Sequence, residues 1–159
     1  EDMVVELTDP AAIPARLVVG AIAGFVATLV MDVPMERLPE GETSTYVAAG
    51  LLEGESLKSA PDQVATAVHY GAGTLSGVLF VGLTVAFEQL LGTIASLLAV
   101  FLAVVVQLPV MIVFFSYVVL VVYGGVPEER IPQVRRDWAL SAAVYVAVVT
   151  VLTGALVFV

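Results

Sequence analysis

The chain has 159 residues, of which 60% are hydrophobic and 13% charged, whereas a soluble domain carries about 25% charged residues. Fifteen acidic and six basic residues give a formal net charge of −9, which disfavours binding to nucleic acid and to anionic lipid headgroups. The sequence contains no cysteine, which excludes disulfides, thiolate nucleophiles and cysteine-ligated metal centres.

Long apolar runs predict an integral membrane protein with an all-α fold, a four-transmembrane-helix bundle that forms a single domain. The runs that are long enough to span a bilayer cover residues 17–35, 66–91, 94–123 and 139–159. Because acidic surfaces keep proteins soluble where charge is screened by salt, the composition also indicates a halophilic archaeal source.

Polar segments flank the apolar runs. Residues 1–13 contain a Thr-Asp-Pro helix start and predict a short helix at the membrane interface. In the long connection 36–62, apolar spacing predicts a short surface helix over 44–57. The charged segment 124–138 is predicted to be a loop, with Trp138 as an anchor at the membrane interface.

The cations are distributed unequally between the two sides of a four-span protein. Loops 36–62 and 124–138 share one side and contain all the lysine and arginine residues except Arg16. The positive-inside rule therefore places both loops in the cytoplasm and both termini outside, in a multi-pass protein of the cell (plasma) membrane.

Small residues recur at helical spacing in the first two spans. Gly20 and Gly24 are four residues apart in the first span, and Gly73 and Gly77 in the second. Membrane helices approach each other closely at this spacing. We therefore expect the two spans to pack together through these glycines, with the second span as the central helix of the bundle.

Two ionisable residues have a similar depth in these spans. Asp32 lies about one turn from the end of the first span, and His69, the only histidine, opens the second. If the glycine faces meet, the carboxylate and the imidazole can touch, and such residues often mark proton or ion paths. Alternatively, Asp32 ends its helix beside Pro34, or the pair serves only helix packing.

Two further polar residues complete the candidate intramembrane site. Gln107 lies near the middle of the third span beside Pro109, which is expected to kink the helix. Gln107 either lines a ligand or ion site or bonds a neighbouring helix. Tyr145 in the fourth span has about the depth of His69, and is alternatively an interfacial anchor. Glu88, at the outer end of the second span, is expected to reach water.

The stretches GAIAGFVATLVMDVPM and AVHYGAGTLSGVLF resemble a set of uncharacterised prokaryotic, including haloarchaeal, four-helix membrane proteins. The first stretch combines glycine, alanine, threonine and methionine, and the second opens on histidine followed by an aromatic residue and spaced glycines. The residues that carry the resemblance are Gly24, Ala27, Thr28, Met31, His69, Tyr70, Gly71, Gly73 and Gly77. The resemblance covers about half of the chain and implies the four-helix fold, without an agreed activity.

Three functions are compatible with this sequence. The sequence favours the first, a non-enzymatic bundle that acts through helix packing, as an accessory or assembly subunit of a larger membrane complex or as a homo-oligomer. The second is a small channel or proton-coupled carrier that uses Asp32 and His69. An enzyme is the least supported, because there is no nucleophile motif or phosphate loop, and no cluster of residues with metal-ligand spacing. The sequence therefore predicts no catalytic, metal or cofactor residues, and its partners are the lipid bilayer and other membrane subunits or itself.

Overall fold

The computed structural model describes residues 12–155, and none of these residues forms a β-strand. Four helices are long and apolar enough to cross a membrane, which confirms the predicted all-helical chain with four candidate spans. The long helices and one short helix are, in chain order, α1 (Ile13–Arg37), α2 (Thr43–Glu53), α3 (Asp62–Leu91), α4 (Leu97–Tyr123) and α5 (Ile131–Ala155).

The four long helices form a ring around one core. Helix α1 packs against α3 and α5, and α4 packs against the same two helices from the other side. The core is filled by small and medium side chains of all four helices, including Ala23, Ala27, Met31, Phe80, Val100, Ala103, Tyr145 and Val149. Helix α2 covers one end of this bundle, which we call the α2 end.

The outer surface of the bundle is apolar. Ile22, Leu75, Phe101 and Val151 lie on the four different long helices and are each at least 61% exposed, a pattern that water-soluble bundles avoid. Such side chains fit the hydrocarbon of a bilayer, so the surface and the helix lengths are together consistent with a multi-pass membrane protein.

Three long helices differ slightly from the predicted spans. Helices α1 and α3 begin four residues before the predicted 17 and 66, α1 with Pro14 and α3 with Asp62 in the first turn, and both residue types are favoured there. Helix α4 begins at Leu97 instead of 94, because the Ser96 side chain accepts a hydrogen bond from the Ala99 N–H at 3.4 Å and caps the helix there. Residues 1–11, with the predicted N-terminal helix, and residues 156–159 lie outside the described part.

The prediction that 124–138 forms a loop is wrong for its second half. The connection between α4 and α5 covers only 124–130, and α5 begins at Ile131, eight residues before the predicted 139. Pro132 is compatible with this start, because the first turn of a helix needs no N–H partner from its own chain. The polar residues of 131–138 therefore continue the helix beyond the apolar run by which the span was predicted.

Helix α2 is packed more deeply than a surface helix. It ends at Glu53, before the Gly54 that has a left-handed φ of +70°, so the predicted range of 44–57 was too long. Val47 is fully buried and packs in a cluster with Phe115, Leu120 and Val134. Helix α2 is therefore part of the packed structure at the α2 end.

A polar cluster fixes the connection between α1 and α2 to the start of α5. The Arg130 guanidinium donates two hydrogen bonds of 2.7 Å to the Glu40 carboxylate. The Glu40 backbone N–H in turn donates to the fully buried Asp137 carboxylate at 2.9 Å, which also accepts from Gln133. The hydrogen bonds from Arg130 hold the pKa of Glu40 below its ordinary value of 4.5.

Helix α4 is irregular a few residues after Pro109. The α-helix continues through Pro109 to Phe114, and a π-helical turn follows at Phe115–Val119. Side chains of α5 bond carbonyls in this region: Trp138 Nε1 donates to the Met111 carbonyl at 3.1 Å, and Arg135 donates to that of Ser116. Trp138 is thus partly buried and packs against Phe115 of α4, and its role as an interfacial anchor stays a prediction.

Candidate functional site

The contact between α1 and α3 depends on the predicted glycines. A Cβ atom at Gly24 would lie 2.6 Å from the Gly73 carbonyl oxygen, and one at Gly77 would lie 2.6 Å from the Gly24 Cα. A Cβ at Gly20 would meet the Gly77 carbonyl oxygen at 2.7 Å. Since these distances leave no room for a side chain, the backbones of the two helices touch at this point.

The same spacing that aligns the glycines aligns the two ionisable residues. Each step of four residues along α1, from Gly24 through Thr28 to Asp32, is matched by a step back along α3 from Gly77 through Gly73 to His69. Thr28 packs directly on Gly73. Asp32 and His69 follow one turn later, so the glycine contact places the carboxylate opposite the imidazole.

Asp32 accepts two hydrogen bonds from consecutive residues of α3. His69 Nε2 donates to Asp32 Oδ1 at 2.6 Å, and the Tyr70 hydroxyl donates to Asp32 Oδ2 at 2.5 Å. The side chains of Asp32 and His69 are 27% and 13% exposed, so the pair is partly buried but reachable by water. Within the described residues, the other ring nitrogen of His69, Nδ1, has no hydrogen-bond partner.

Gln107 and Tyr145 also bond α3, but not the Asp32–His69 pair. Gln107 is fully buried, and its amide nitrogen donates to the Ser76 carbonyl at 3.0 Å and to the Ser76 hydroxyl at 2.9 Å. Its Oε1 has no partner among residues 12–155. The buried Tyr145 hydroxyl donates to the Gly73 carbonyl at 2.6 Å. Helix α3 is therefore the element on which all four predicted polar residues converge.

A polar cavity opens beside Asp32 at the α2 end. We call it the vestibule; it has a volume of about 190 Å³ and is lined by Asp32, Glu36, Glu42, Thr45, Tyr46, Thr66, His69 and Tyr70, among others. Tyr46 donates to Asp62 Oδ1 at 3.0 Å, and this bond raises the pKa of the Tyr46 phenol. Carboxylates and hydroxyls therefore surround His69 on the side that faces the vestibule.

A second, apolar cavity lies between α3 and α4, and we call it the chamber. Its volume is about 320 Å³, and it is lined by residues of all five helices, including Met31, Ala48, Ala72, Met111, Phe114, Phe115, Trp138 and Tyr145. His69 and Thr45 line both cavities. The imidazole of His69 thus lies between a polar cavity and an apolar one.

Glu88 does not reach water, contrary to the expectation from sequence. It is 3% exposed, and Arg16 donates to its two carboxylate oxygens at 2.7 and 3.0 Å. This ion pair joins α1 to α3 at the end opposite to α2. A buried carboxylate requires such a partner, and the only cation predicted on that side, Arg16, was the sequence feature that could have indicated the pair.

Two further residues were not predicted from the sequence. Tyr70 donates a hydrogen bond to Asp32, and Asp137 is a buried hydrogen-bond acceptor. Tyr70 directly follows His69, and its place at the same end of α3 could have indicated that it shares the carboxylate. Asp137 lies four residues after Gln133, one helical turn apart, but this pairing becomes visible only when 131–138 is known to be helical.

No group of three or more histidine, aspartate or glutamate residues that could hold a metal ion is found within residues 12–155. Comparison with protein-family models, with curated proteins and with solved structures found no match. The resemblance to uncharacterised four-helix membrane proteins therefore stays a prediction, and the function has to be argued from the site itself.

Proposed function

We propose that this chain is a small multi-pass membrane protein that moves protons through the Asp32–His69 pair, as a small channel or a proton-coupled carrier. The observation that supports this most is the position of His69, which bonds a carboxylate of the neighbouring helix and lines both the vestibule and the chamber. Imidazole is the side chain that exchanges protons most readily near neutral pH.

The cost of the site supports a functional role. Ionisable side chains within membrane helices are expensive and usually belong to a pathway or a binding site. Asp32 is satisfied by two donors, and packing alone could be served by small apolar residues, as it is where Gly20 and Gly24 meet Gly77. The pair also keeps partial access to water through the vestibule, which proton exchange requires.

Proton flux tests this proposal. The purified protein is reconstituted in liposomes that contain a pH-sensitive dye, a pH gradient is imposed, and the membrane potential is clamped with potassium and valinomycin. We expect the gradient to decay faster than in empty liposomes, and D32N and H69A to lower the rate to that of empty liposomes. A matched control is T150A, because the Thr150 hydroxyl bonds only the Val146 carbonyl of its own helix.

Equal rates for the wild type, D32N and H69A would reject the proposal, provided that circular dichroism shows all variants to be folded. If the wild type is no faster than empty liposomes, the chain does not conduct protons by itself and the proposal fails in this form.

The second candidate is an accessory or assembly subunit, or a homo-oligomer, that acts through helix packing. The extensive apolar outer surface favours it, since this surface fits a protein partner as well as lipid. However, Gly20, Gly24, Gly73 and Gly77 are all occupied by contacts within the chain, so they are not free to bind another subunit. Co-purification from the native membrane at a fixed stoichiometry would support this candidate.

We further propose the cell membrane as the location, with the α2 end in the cytoplasm. Arg37, Lys58, Arg130, Arg135 and Arg136 lie at or near this end, whereas Arg16 lies at the other. Cations near the ends of spans favour the cytoplasmic side. In this orientation the vestibule opens to the cytoplasm.

A further inference from the structure

The chamber has the dimensions of a ligand site. Its volume of about 320 Å³ lies at the lower end of the range for small-molecule sites, about 300–1,000 Å³. It is also about twice the volume of an apolar cavity of ~150 Å³ that takes up benzene. The chamber therefore has room for an aromatic ring with a short substituent, and its largely apolar wall selects an apolar body.

The charges around the two cavities favour a positively charged ligand over a negatively charged one. The carboxylates Asp32, Glu36 and Glu42 line the vestibule, which meets the chamber at His69 and Thr45, and no lysine or arginine of the described chain lines either cavity. Charges near a protein surface interact more strongly than they do in bulk water. An anionic ligand is therefore disfavoured, and a cationic one is attracted.

The aromatic lining of the chamber also favours a positively charged ligand. Four aromatic side chains, Phe114, Phe115, Trp138 and Tyr145, border the chamber. The faces of such rings attract cations, and quaternary ammonium groups in particular are bound by several aromatic residues at once. Organic cations of this kind need no hydrogen-bond partner, which suits a wall with few polar atoms.

From these observations we infer that the chamber binds a monovalent organic cation with an apolar body. This inference rests on the proposed function, because it names the substrate class of the same site. A cation in the chamber lies beside His69 and opposes a positive charge on its imidazole, since like charges repel. Binding of the cation and binding of a proton then compete, which couples the two.

Trp138 provides a direct measurement of binding, because it is the only tryptophan of the chain and lines the chamber. Its fluorescence is recorded in phosphatidylcholine nanodiscs while benzyltrimethylammonium is added. Neopentylbenzene, which has the same shape without charge, and phenylmethanesulfonate, which is an anion, serve as matched ligands. We expect a saturable change with the cation at a concentration about tenfold lower than with the neutral isostere, and none with the anion.

Amino-acid substitutions test the effect of charge separately from the effect of the chamber's volume. D32N is expected to weaken binding of the cation about tenfold and to leave the neutral isostere unchanged; E42Q, outside the membrane spans, should act in the same direction if D32N does not fold. A72F should abolish binding by filling the chamber, because Ala72 lines it. The matched control A86F adds the same ring at another exposed position of α3 that does not line the chamber.

Equal affinities for the cation and its neutral isostere would overturn the inference, as would tighter binding of the anion, the absence of a saturable change, or unchanged binding in A72F. The outcome is separable from that of the proton-flux measurement. If flux depends on Asp32 but the cation does not bind, the substrate class is wrong and the proposed function stands. If the cation binds but no proton flux occurs, the proposed function is wrong and the ligand class stands.

Discussion

Asp32 illustrates how a carboxylate is tolerated inside this bundle. Burial of a charged group is unfavourable unless hydrogen bonds replace those made to water, and two donors from one turn of α3 provide them. Because His69 and Tyr70 are consecutive, they approach the carboxylate from different directions and fix its orientation. His69 Nδ1 has no hydrogen-bond partner among the described residues, so it is available to exchange a proton with water.

Glu40 makes the stability of the protein depend on pH. Its pKa is lowered in the folded protein by hydrogen bonds from Arg130, so its contribution to stability is complete above the ordinary value of 4.5 and is lost as the pH falls through the lower folded value. We therefore expect the midpoint of thermal unfolding, measured by circular dichroism in detergent, to fall less between pH 6 and pH 3 in E40Q than in the wild type.

Other carboxylates titrate in the same range, so the comparison is made between the two proteins. E53Q serves as the control, because Glu53 lies at the exposed end of α2 and its removal should leave the wild-type pH dependence. Parallel curves for E40Q and the wild type would show that the bond between Glu40 and Arg130 contributes nothing to the acid sensitivity.

At the scale of residues, sequence was most informative where spacing decided the contact. The steps of four residues that place Gly24 on Gly77 also place Asp32 opposite His69, and this juxtaposition was predictable. The pair of Arg16 and Glu88, which joins residues 72 positions apart, was not predicted, although Arg16 was the sequence feature that could have indicated it. The contact of Gln107 with Ser76 was anticipated only as a bond to some neighbouring helix.

At the scale of elements, the contact between α1 and α3 is a close approach of two backbones. We predict that G77A destabilises the protein by about 1–3 kcal/mol, because its methyl group forces the helices apart. G82A lies on the same helix, and nothing lies within 4 Å of a Cβ built there, so it should be neutral or stabilising by up to about 1 kcal/mol. Reversible unfolding in mixed micelles measures both. Equal effects of the two substitutions would contradict the tight contact.

Helix α5 stabilises the irregular part of α4. The Arg135 guanidinium donates to the Ser116 carbonyl at 3.1 and 3.2 Å and lies 4.5 Å from the centre of the Tyr117 ring. Loss of a hydrogen bond to a charged donor costs about 1.5–3 kcal/mol, and we predict a loss near the lower end for R135A because the guanidinium is partly exposed.

The neighbouring Arg136 is exposed and provides the control. R136A should leave the free energy of unfolding unchanged, measured in the same mixed micelles. If both substitutions lower the free energy of unfolding equally, the removal of a positive charge explains the loss of stability, and the bond to the Ser116 carbonyl does not.

The ends of helices were predictable only where the hydropathy of the sequence changes at the same residue as the helix ends. Polar and charged side chains interrupt residues 131–138, so no apolar run marks the start of α5. Trp138 bonds α4 there, and Asp137 accepts from the connection before α2. The depth at which α2 packs was equally hidden, because burial of Val47 depends on side chains of α4 and α5.

At the scale of the whole molecule, the four candidate spans followed from apolar length alone, while the two cavities did not. A cavity exists where side chains of several helices fail to fill the space between them, and no pattern in a single segment records this. The chamber involves all five helices, so it became visible only in three dimensions.

The proposed orientation makes a prediction for the whole molecule. Because the chain contains no cysteine, single cysteines can be placed without further changes. We expect K58C, in the connection between α2 and α3, to react with a membrane-impermeant maleimide in inside-out vesicles and to be protected in intact cells. T93C, between α3 and α4, should show the opposite pattern. Reversed labelling of the two positions would place the α2 end outside.

The central claim is that the glycine contact between α1 and α3 holds the His69 imidazole on the Asp32 carboxylate. The most direct measurement is nuclear magnetic resonance of protein labelled with ¹⁵N in histidine only, since His69 gives the single imidazole spectrum. The account predicts a hydrogen-bonded, slowly exchanging Nε2 proton that is lost in D32A, weakened in G77A and retained in G82A. An Nε2 proton that exchanges freely in the wild type, or that is unchanged in D32A, would contradict it.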